Sequence, residues 1–355
     1  MSTPVIAFVG AGFMGQTAHL ANYARLRDAG LCEIAGVVDL KPLLARAVAE
    51  AYHLPCIYAT VEELLDDERI QGVVCIQRWP NNYALVKQII NAGKSVITEK
   101  PMVGRLDEAE ELTALAKAKG VLYAVGFMKR YDTGVELAKR LVDDLRASGE
   151  LGPLRSVDAL CNGGDWRQNE GSHIVVDDPT PVPAAVATYP DGCRSPEQRR
   201  AYDYLVNIYS HNINLCHHLL GSELQPRSAI FLGGMGMIST SVSDGVLVTV
   251  RGASSAAHEW REWTTLTFAR GELSIKTPVP LNRQRAAEVT LLRPQGDHFA
   301  TTNYHAPIAW AFFRQAEGFI QALAGEAPLR APAESCVWDV RVMARLIEMA
   351  EVLPA

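Results

Sequence analysis

Residues 5–15 read VIAFVGAGFMG, a short apolar run that passes directly into a glycine-rich turn. The spacing of Gly10, Gly12 and Gly15 is G-x-G-x-x-G, and a stretch of helical character follows as far as Ala29. In a strand–turn–helix unit the first glycine permits the tight turn, and the second lets the backbone approach a pyrophosphate. The third lets the helix pack closely on the strand. This stretch therefore predicts a dinucleotide-binding βαβ unit, with a ligand-free glycine turn as the alternative.

An acidic residue ends the second predicted strand, at residues 33–39. Asp39 lies 24 residues after the last glycine of the turn, near the expected spacing of about 20. Its carboxylate is suited to accept both ribose hydroxyls and would repel a 2′-phosphate, so the predicted cofactor is NAD, with NADP less favoured. Lys41 would soften this preference. Phe13 and Met14, inside the turn, are further candidate cofactor contacts.

Apolar runs and helical patterns alternate over the first third of the chain. Further runs lie at 72–76, 95–98 and 121–125, and helical patterns lie at 41–52, 83–92 and 107–119. Strands that are apolar throughout and separated by helices are typical of a parallel sheet covered on both faces. The sequence thus predicts an α/β fold that begins with a doubly wound Rossmann sheet.

The pattern changes after about residue 126. One helix is predicted at 133–147, and most of the following runs alternate with few helices between them, which indicates an antiparallel sheet. We therefore predict a Rossmann domain at residues 1–128. A substrate and oligomerisation domain follows at 129–355. It is predicted to be an α+β domain with a large, mostly antiparallel open sheet. Its C-terminal helix packs either within this domain or back on the first one. Five prolines predict a long loop at 177–196, either a lid or interface arm or a plain surface insertion.

Composition excludes several classes of protein. The 355 residues carry a net charge of −6 and no basic stripe, which argues against a nucleic-acid partner. No run approaches the roughly 18 apolar residues of a membrane span. Seven dispersed cysteines without a C-x-x-C pair favour a reducing cytoplasm. The first residues lack a basic region, so we interpret them as a strand and not as a signal peptide. The histidines at 211, 217 and 218 lack a completing ligand set, so no metal is expected.

The strand at 95–98 ends in Glu99-Lys100-Pro101. An X-Pro bond adopts the cis form at modest cost, and a cis bond here would turn the lysine away from the strand end. Ligands of open α/β sheets bind beyond the carboxyl ends of the strands. Lys100 is therefore predicted at the mouth of the ligand cleft, against the alternative of an ordinary surface lysine.

With these motifs the sequence resembles the glucose–fructose oxidoreductase / inositol dehydrogenase family (Gfo/Idh/MocA). The resemblance rests on GAGFMG, Asp39, NAGKSVITEKPM (91–102), GFMKRYD (126–132), SHNINLCHHLLG (210–221) and the GEAP turn (325–328). It implies a Rossmann domain followed by an open sheet of about six strands that often mediates oligomers, hence a homodimer or homotetramer. It also implies a nicotinamide-dependent alcohol–ketone conversion on a sugar or cyclitol.

The resemblance implies roles for individual residues. Lys100 matches the active-site lysine of the family and His211 its active-site histidine. Asn207 stands where the family usually has an aspartate, and it can only hydrogen-bond. Asp203 lies a further four residues back, on one face with Asn207 and His211 if the helix is continuous. We assign His211 as the acid/base and Lys100 as the electrophilic partner, with a Lys100 of depressed pKa as the alternative base.

The resemblance also implies further candidate residues. On the cofactor side these are Gln77, Trp79, Asn82 and Glu99. Asn82 takes a place that often carries His in the family, and Trp79 either packs by the nicotinamide or caps the core. Candidate substrate contacts are Lys129, Arg130, Tyr131, Trp166, Arg167 and Gln168, together with Asp203 and Asn207. Two arginines, Arg130 and Arg167, would suit an anionic substrate.

Three function hypotheses follow. The first is an NAD-dependent dehydrogenase acting on a secondary hydroxyl of a sugar, sugar derivative or cyclitol. The second is an oxidoreductive glycoside-cleaving enzyme that holds NAD tightly and recycles it in each turnover. The third is a non-catalytic NAD-binding regulator, suggested only by Asn207 and opposed by the retained Lys100 and His211.

Overall fold

The computed structural model describes residues 3–167, 171–233, 235–255 and 259–354. The chain divides into two units. The first contains Met1–Gly126, Glu170–Thr188 and Phe312–Val337, and the second contains Phe127–Asn169, Tyr189–Ala311 and Trp338–Ala355. The sequence predicted two consecutive domains that divide after residue 128. In the structure each unit instead contains three segments, which alternate along the chain. Within the described ranges, no helix has the length and apolar character needed to cross a bilayer.

The first unit is built on a parallel sheet. Its strands are β1 (Val5–Val9), β2 (Glu33–Val38), β3 (Gly72–Cys75), β4 (Ser95–Thr98) and β5 (Tyr123–Val125). They pair in the order β2-β1-β3-β4-β5, all parallel. Every residue of β3, β4 and β5 is buried, which is why these strands are apolar or small at every position. The predicted Rossmann sheet is confirmed.

Helices connect these strands. A π-helical turn at Gly15–Leu20 leads into α1 (Ala21–Asp28), and the others are α2 (Pro42–Ala51), α3 (Val61–Asp66), α4 (Asn82–Asn91) and α5 (Leu106–Lys119). The short α3 was not predicted, although the hydroxyl of Thr60 caps it by accepting the Glu63 N–H. Gly120 ends α5 in the left-handed conformation, at a φ of 66°.

The second unit is built on a larger sheet. Its strands are β6 (Leu154–Asn162), β7 (Gln225–Leu232), β8 (Gly236–Ser243), β9 (Val246–Ala253), β10 (Arg261–Phe268), β11 (Gly271–Lys276), β12 (Glu288–Gln295), β13 (His298–Tyr304) and β14 (Glu351–Leu353). The order is β13-β12-β11-β10-β6-β9-β8-β7-β14. The β6–β9 and β7–β14 pairs are parallel, and the remaining pairs are antiparallel. The mostly antiparallel sheet is confirmed, with nine strands instead of about six.

The remaining helices are α6 (Thr133–Ser148), α7 (Pro196–Tyr204), α8 (Ser210–Leu220), α9 (Ala311–Leu323) and α10 (Ala333–Glu348). The carboxylate of Asp132 caps α6 by accepting two backbone N–H groups. A π-helical turn, Leu205–Tyr209, joins α7 to α8. The last helix, α10, ends at Glu348, and Glu351 begins β14.

Residues 171–190 form neither helix nor strand. The prolines in this stretch cannot donate a backbone hydrogen bond, so neither regular element is stable there. We call residues 171–188, which belong to the first unit, the strap.

Candidate functional site

The glycine turn has the geometry that its sequence predicts. Gly10 has a φ of +99°, and a Cβ there would collide with the carbonyl oxygen of Ile76. A Cβ on Gly15 would lie 2.8 Å from the carbonyl oxygen of Gly10. By contrast, a Cβ on the exposed Gly12 would meet no heavy atom within 4 Å. The first and third glycines therefore serve close packing, while the second leaves open space over the backbone. That opening fits a pyrophosphate.

Asp39 lies directly beside this turn. Its Oδ2 accepts the Ala11 N–H at 2.7 Å, and its Oδ1 accepts the Lys41 N–H at 2.8 Å. The residue is half-buried. Each carboxylate oxygen has a second lone pair that these bonds leave over. Asp39 is thus held in place by backbone donors and fits the diol of a cofactor ribose.

The other predicted cofactor contacts surround the turn. Phe13 is half-buried and packs edge-to-face on His173, with ring centroids 5.0 Å apart. Met14 packs against the core of the unit. The amide of Gln77 lies where a Cβ on Gly10 would be built. These residues form the wall of the turn, and their contact with a cofactor stays a prediction.

The Glu-Lys-Pro segment follows β4, and the Lys100–Pro101 bond is cis. Glu99 Oε1 lies 2.8 Å from His19 Nε2, and Glu99 Oε2 accepts the Lys100 N–H at 3.2 Å. His19 stands in the π-helical turn that follows the glycines. The Glu99–His19 pair therefore fixes the loop of Lys100 to the element that carries the glycine turn. Lys100 itself is half-buried.

Asn82 holds the same loop through hydrogen bonds to its main chain. It is 1% exposed, and its amide nitrogen donates to the carbonyl oxygens of Pro101 at 3.1 Å and Met102 at 3.2 Å. Trp79, half-buried, lies against Gly104, where a Cβ would collide with its ring. The structure thus gives Asn82 a positioning role, and direct contact of either side chain with a cofactor stays a prediction.

The second unit carries His211 at the start of α8. Its ring is half-buried and packs edge-to-face on Phe127 at 5.9 Å between centroids. Asn207 is exposed within the π-helical turn. The helix is therefore not a regular α-helix there, because hydrogen bonds in a π-turn run from i to i+5. The four-residue spacing does not define a common face in the way we expected.

Asp203 is engaged within its own unit. Its two carboxylate oxygens accept the Tyr189 hydroxyl at 3.2 and 3.1 Å. Burial raises the pKa of the Asp203 carboxyl, and this hydrogen bond offsets part of the rise. Burial and the nearby carboxylate also raise the pKa of the Tyr189 hydroxyl. Asp203 thus serves as a partner of Tyr189, and its contact with substrate stays a prediction.

Lys129 belongs to a buried ionic cluster. Its ammonium pairs with Glu262 Oε1, and the two side chains are 8% and 1% exposed. Glu262 also accepts the Asn212 amide at 2.9 Å and the Trp260 indole N–H at 3.0 Å. The negative charge of Glu262 is therefore surrounded by donors, and Lys129, which the sequence suggested as a substrate contact, has an internal partner.

Arg130 begins a second buried network. Its Nε donates to Asn214 Oδ1 at 2.8 Å, and the Asn214 amide donates to Asp339 at 2.6 Å. Asp339 also lies 2.7 Å from His217 Nδ1. The Leu224 N–H donates to His217 Nε2 at 3.1 Å, so the proton of a neutral His217 must lie on Nδ1. Arg130 thus links a chain of satisfied polar groups.

The remaining substrate candidates lie in different surroundings. Tyr131 is 2% exposed. Trp166 and Arg167 are exposed, and Gln168 lies outside the described residues. The buried Arg130 and the exposed Arg167 therefore do not share one environment, and this arrangement does not support a common anion clamp. Over the described ranges, no group of three His, Cys, Asp or Glu side chains has the arrangement of a metal site.

The Lys129–Glu262 pair leads to a stability prediction. Glu262→Gln removes the charge opposite a buried ammonium, and one of the two acceptors becomes an NH₂ group that faces a donor. We expect the free energy of unfolding to fall by about 3–5 kcal/mol, measured by urea denaturation. Asp143→Asn, at the more exposed Lys139–Asp143 pair, is the control and should change it by less than about 1 kcal/mol. Equal effects of the two variants would contradict the buried-pair interpretation.

The sequence analysis did not predict several residues that contribute to these sites. Glu262 and Asp339 meet their partners across 133 and 122 residues of chain, and no local pattern signals such pairs. Asp178 of the strap hydrogen-bonds to the start of α2 across 135 residues. A local signal existed only for its turn, because Asp178 Oδ1 accepts the Thr180 N–H.

The comparison with protein families finds a match in the first part of the chain. Residues 5–127 match the family model described as "Oxidoreductase family, NAD-binding Rossmann fold" (Gfo/Idh/MocA). An uncharacterised oxidoreductase of Schizosaccharomyces pombe is 37% identical over 127 residues, 34% of this chain and 34% of the relative. Inositol 2-dehydrogenase of Ralstonia nicotianae is 30% identical over 149 residues, 41% of this chain and 42% of the relative. The chain thus matches less than half the length of these curated relatives.

Among solved structures, the 3-ketoreductase KijD10 from Actinomadura kijaniata, in complex with NADP and TDP-benzene, has a TM-score of 0.75. The match covers 100% of both chains at 16% identity. The fold that this chain shares with KijD10 therefore includes both units. That likeness concerns the fold alone. The match over residues 5–127 supports the resemblance drawn from the sequence for the first part of the chain, which matches the NAD-binding Rossmann domain of the Gfo/Idh/MocA oxidoreductase family.

Proposed function

We propose that this protein is an NAD-dependent oxidoreductase acting on a secondary hydroxyl of a sugar, sugar derivative or cyclitol. One observation within the first unit carries the proposal. The open glycine turn with Asp39 and the loop of Lys100 are joined through the Glu99–His19 contact of 2.8 Å. A dinucleotide position and a cationic side chain are thereby held to the same element, as hydride transfer next to a nicotinamide requires.

A nicotinamide bound at this site would supply hydride transfer at its C4 atom. The ammonium of Lys100 would donate a hydrogen bond to the reacting hydroxyl and stabilise its alkoxide character. His211 would take the hydroxyl proton in oxidation and return it in reduction, because an imidazole titrates near neutral pH. Asn207 would orient a substrate hydroxyl through its amide. A Lys100 of lowered pKa acting as the base is the alternative assignment.

The substrate class is proposed from the relatives. Inositol 2-dehydrogenase, one of these, is named for a cyclitol, and KijD10 is named as a 3-ketoreductase. NAD is proposed over NADP because Asp39 places a carboxylate where a 2′-phosphate would be repelled. The KijD10 complex contains NADP, but at 16% identity that likeness extends only to the fold.

Two assays on the purified protein test the proposal. The protein is denatured and its supernatant assayed for NAD(H). In parallel, NAD is added with a panel of neutral and anionic sugars, cyclitols and glycosides while NADH absorbance is followed. Steady NADH formation with one substrate class is the expected result. Release of an aglycone with stoichiometric bound NAD and no net NADH would replace the proposal with the redox-recycling glycosidase.

A further inference from the structure

The strap crosses the cofactor side of the first unit and is fixed there at three points. Ile174 exchanges two hydrogen bonds with the amide of Gln16, next to the glycine turn, at 2.8 and 3.1 Å. The Asp178 carboxylate accepts the Leu43 N–H at 2.7 Å. The Thr188 hydroxyl donates to Glu108 at 3.0 Å. A segment more than 120 residues distant in sequence thus reaches the turn that follows Asp39.

Asp178 occupies the N-terminus of α2. The helix begins at Pro42, and the side chain of Lys41 makes no capping bond, so Asp178 Oδ2 satisfies a free N–H of the first turn. The residue is 6% exposed. Desolvation raises the pKa of its carboxyl, but the hydrogen bonds that it accepts lower it more, so the pKa lies below its usual range. A buried, ionised carboxylate therefore caps this helix.

Two acidic residues hold the same short turn. Asp39 accepts the N–H of Lys41, and Asp178 accepts the N–H of Leu43. The ammonium of Lys41 also lies 3.4 Å from the main-chain oxygen of Asp178. In Rossmann folds a 2′-phosphate is received next to the acid position by a basic side chain, and helix N-termini attract such anions. Here Asp178 of the strap makes both contacts: its carboxylate binds the helix N-terminus, and its main-chain oxygen binds the nearby ammonium of Lys41.

We propose that Asp178 is a coenzyme-specificity residue that excludes the 2′-phosphate of NADP, in addition to Asp39. The inference rests on the proposed use of a nicotinamide dinucleotide. Its physical basis is twofold. The Asp178 carboxylate takes the backbone donor of Leu43 and adds its own repulsion, and the main-chain oxygen of Asp178 takes the ammonium of Lys41. The preference for NAD is thus set by two carboxylates from distant parts of the chain.

The test measures the dissociation constants of NADH and NADPH by fluorescence titration of the purified chain. In the wild type, NADPH should bind at least about 100-fold more weakly than NADH. Asp178→Asn keeps an oxygen acceptor for Leu43 and removes the charge. We expect it to reduce the NADPH-to-NADH ratio of dissociation constants by about 10-fold. Asp177→Asn is the matched control, since Asp177 is exposed and the same charge is lost one residue away; its ratio should equal that of the wild type.

The outcomes separate the possible failures. An unchanged ratio in Asp178→Asn overturns the inference, as does a wild type that binds both dinucleotides equally. Equal weakening of both dinucleotides also overturns it and makes Asp178 an anchor of the strap only. Asp178→Ser, which retains a short acceptor, replaces the asparagine variant if circular dichroism shows that variant unfolded. Failure of the wild type to bind either dinucleotide would contradict the proposed function itself.

Discussion

Lys100→Met is expected to lower kcat by about 10²–10⁴-fold, the usual contribution of a positioned proton donor or electrostatic partner. Methionine keeps the length and apolar stem of lysine but cannot donate to the substrate hydroxyl. The loop itself should persist, because Asn82 and the Glu99–His19 contact hold it through other groups. Steady-state kinetics with the substrate found in the sugar panel measure the loss, and NADH titration should give a dissociation constant within about 3-fold of wild type.

The matched control for this variant is Lys117→Met, on the exposed face of α5 in the same unit. It removes an identical charge far from the glycine turn in sequence and should leave kcat unchanged. A Lys100→Met enzyme with wild-type kcat would exclude Lys100 from the chemistry. A variant that lost both kcat and NADH binding would instead show that Lys100 mainly maintains the cofactor site.

Gly12→Val is expected to weaken NADH binding by about 100-fold or more, equivalent to roughly 3 kcal/mol. A Cβ on Gly12 meets no heavy atom within 4 Å, so the valine side chain starts in open space and fills the room through which the backbone approaches a pyrophosphate. The thermal unfolding midpoint should therefore stay close to that of the wild type. Fluorescence titration with NADH and a thermal melt of the ligand-free protein measure the two quantities separately.

Gly10→Ala provides the opposite pattern in the same turn. Its φ of +99° is unfavourable for alanine, and the Cβ collides with the Ile76 carbonyl, so this smaller substitution should lower the unfolding midpoint. If Gly12→Val destabilised the protein more than Gly10→Ala does, the open space above Gly12 would not have the role assigned to it.

Local periodicity was enough to predict the Rossmann sheet. β4 has the bounds that the pattern gave, and β3 differs from it by one residue. The cis bond at Pro101 was considered from the sequence and is present. Such features depend on neighbouring residues. The strand β14 was missed because three residues next to a long amphipathic helix carry no pattern of their own, and pairing with β7 creates the strand.

The candidate site was predicted less completely for a physical reason. The glycines, Asp39 and Lys100 stand at strand ends, where their sequence position determines their place in the fold. The environment of Lys129 and Arg130 is instead determined by Glu262, Asn214 and residues further along the chain. A basic residue at a strand end is equally suited to a substrate or to a buried acid, and only tertiary contacts distinguish these roles. The π-turn at Asn207 was likewise invisible to four-residue spacing.

The late residues of the first unit also affect how the protein is made. These late residues are Phe312–Val337. β5 pairs with them, since the Val125 N–H donates to the carbonyl oxygen of Ala331 at 3.0 Å. Phe319 and Ile320 pack in the same core as Ile6 and Phe8. At roughly 5–20 residues per second, a ribosome needs on the order of ten to forty seconds to pass from Gly126 to Phe312. During that interval the nascent Rossmann sheet has an open edge and an unfilled core, so the first unit completes its folding only after residues 312–337 have been synthesised.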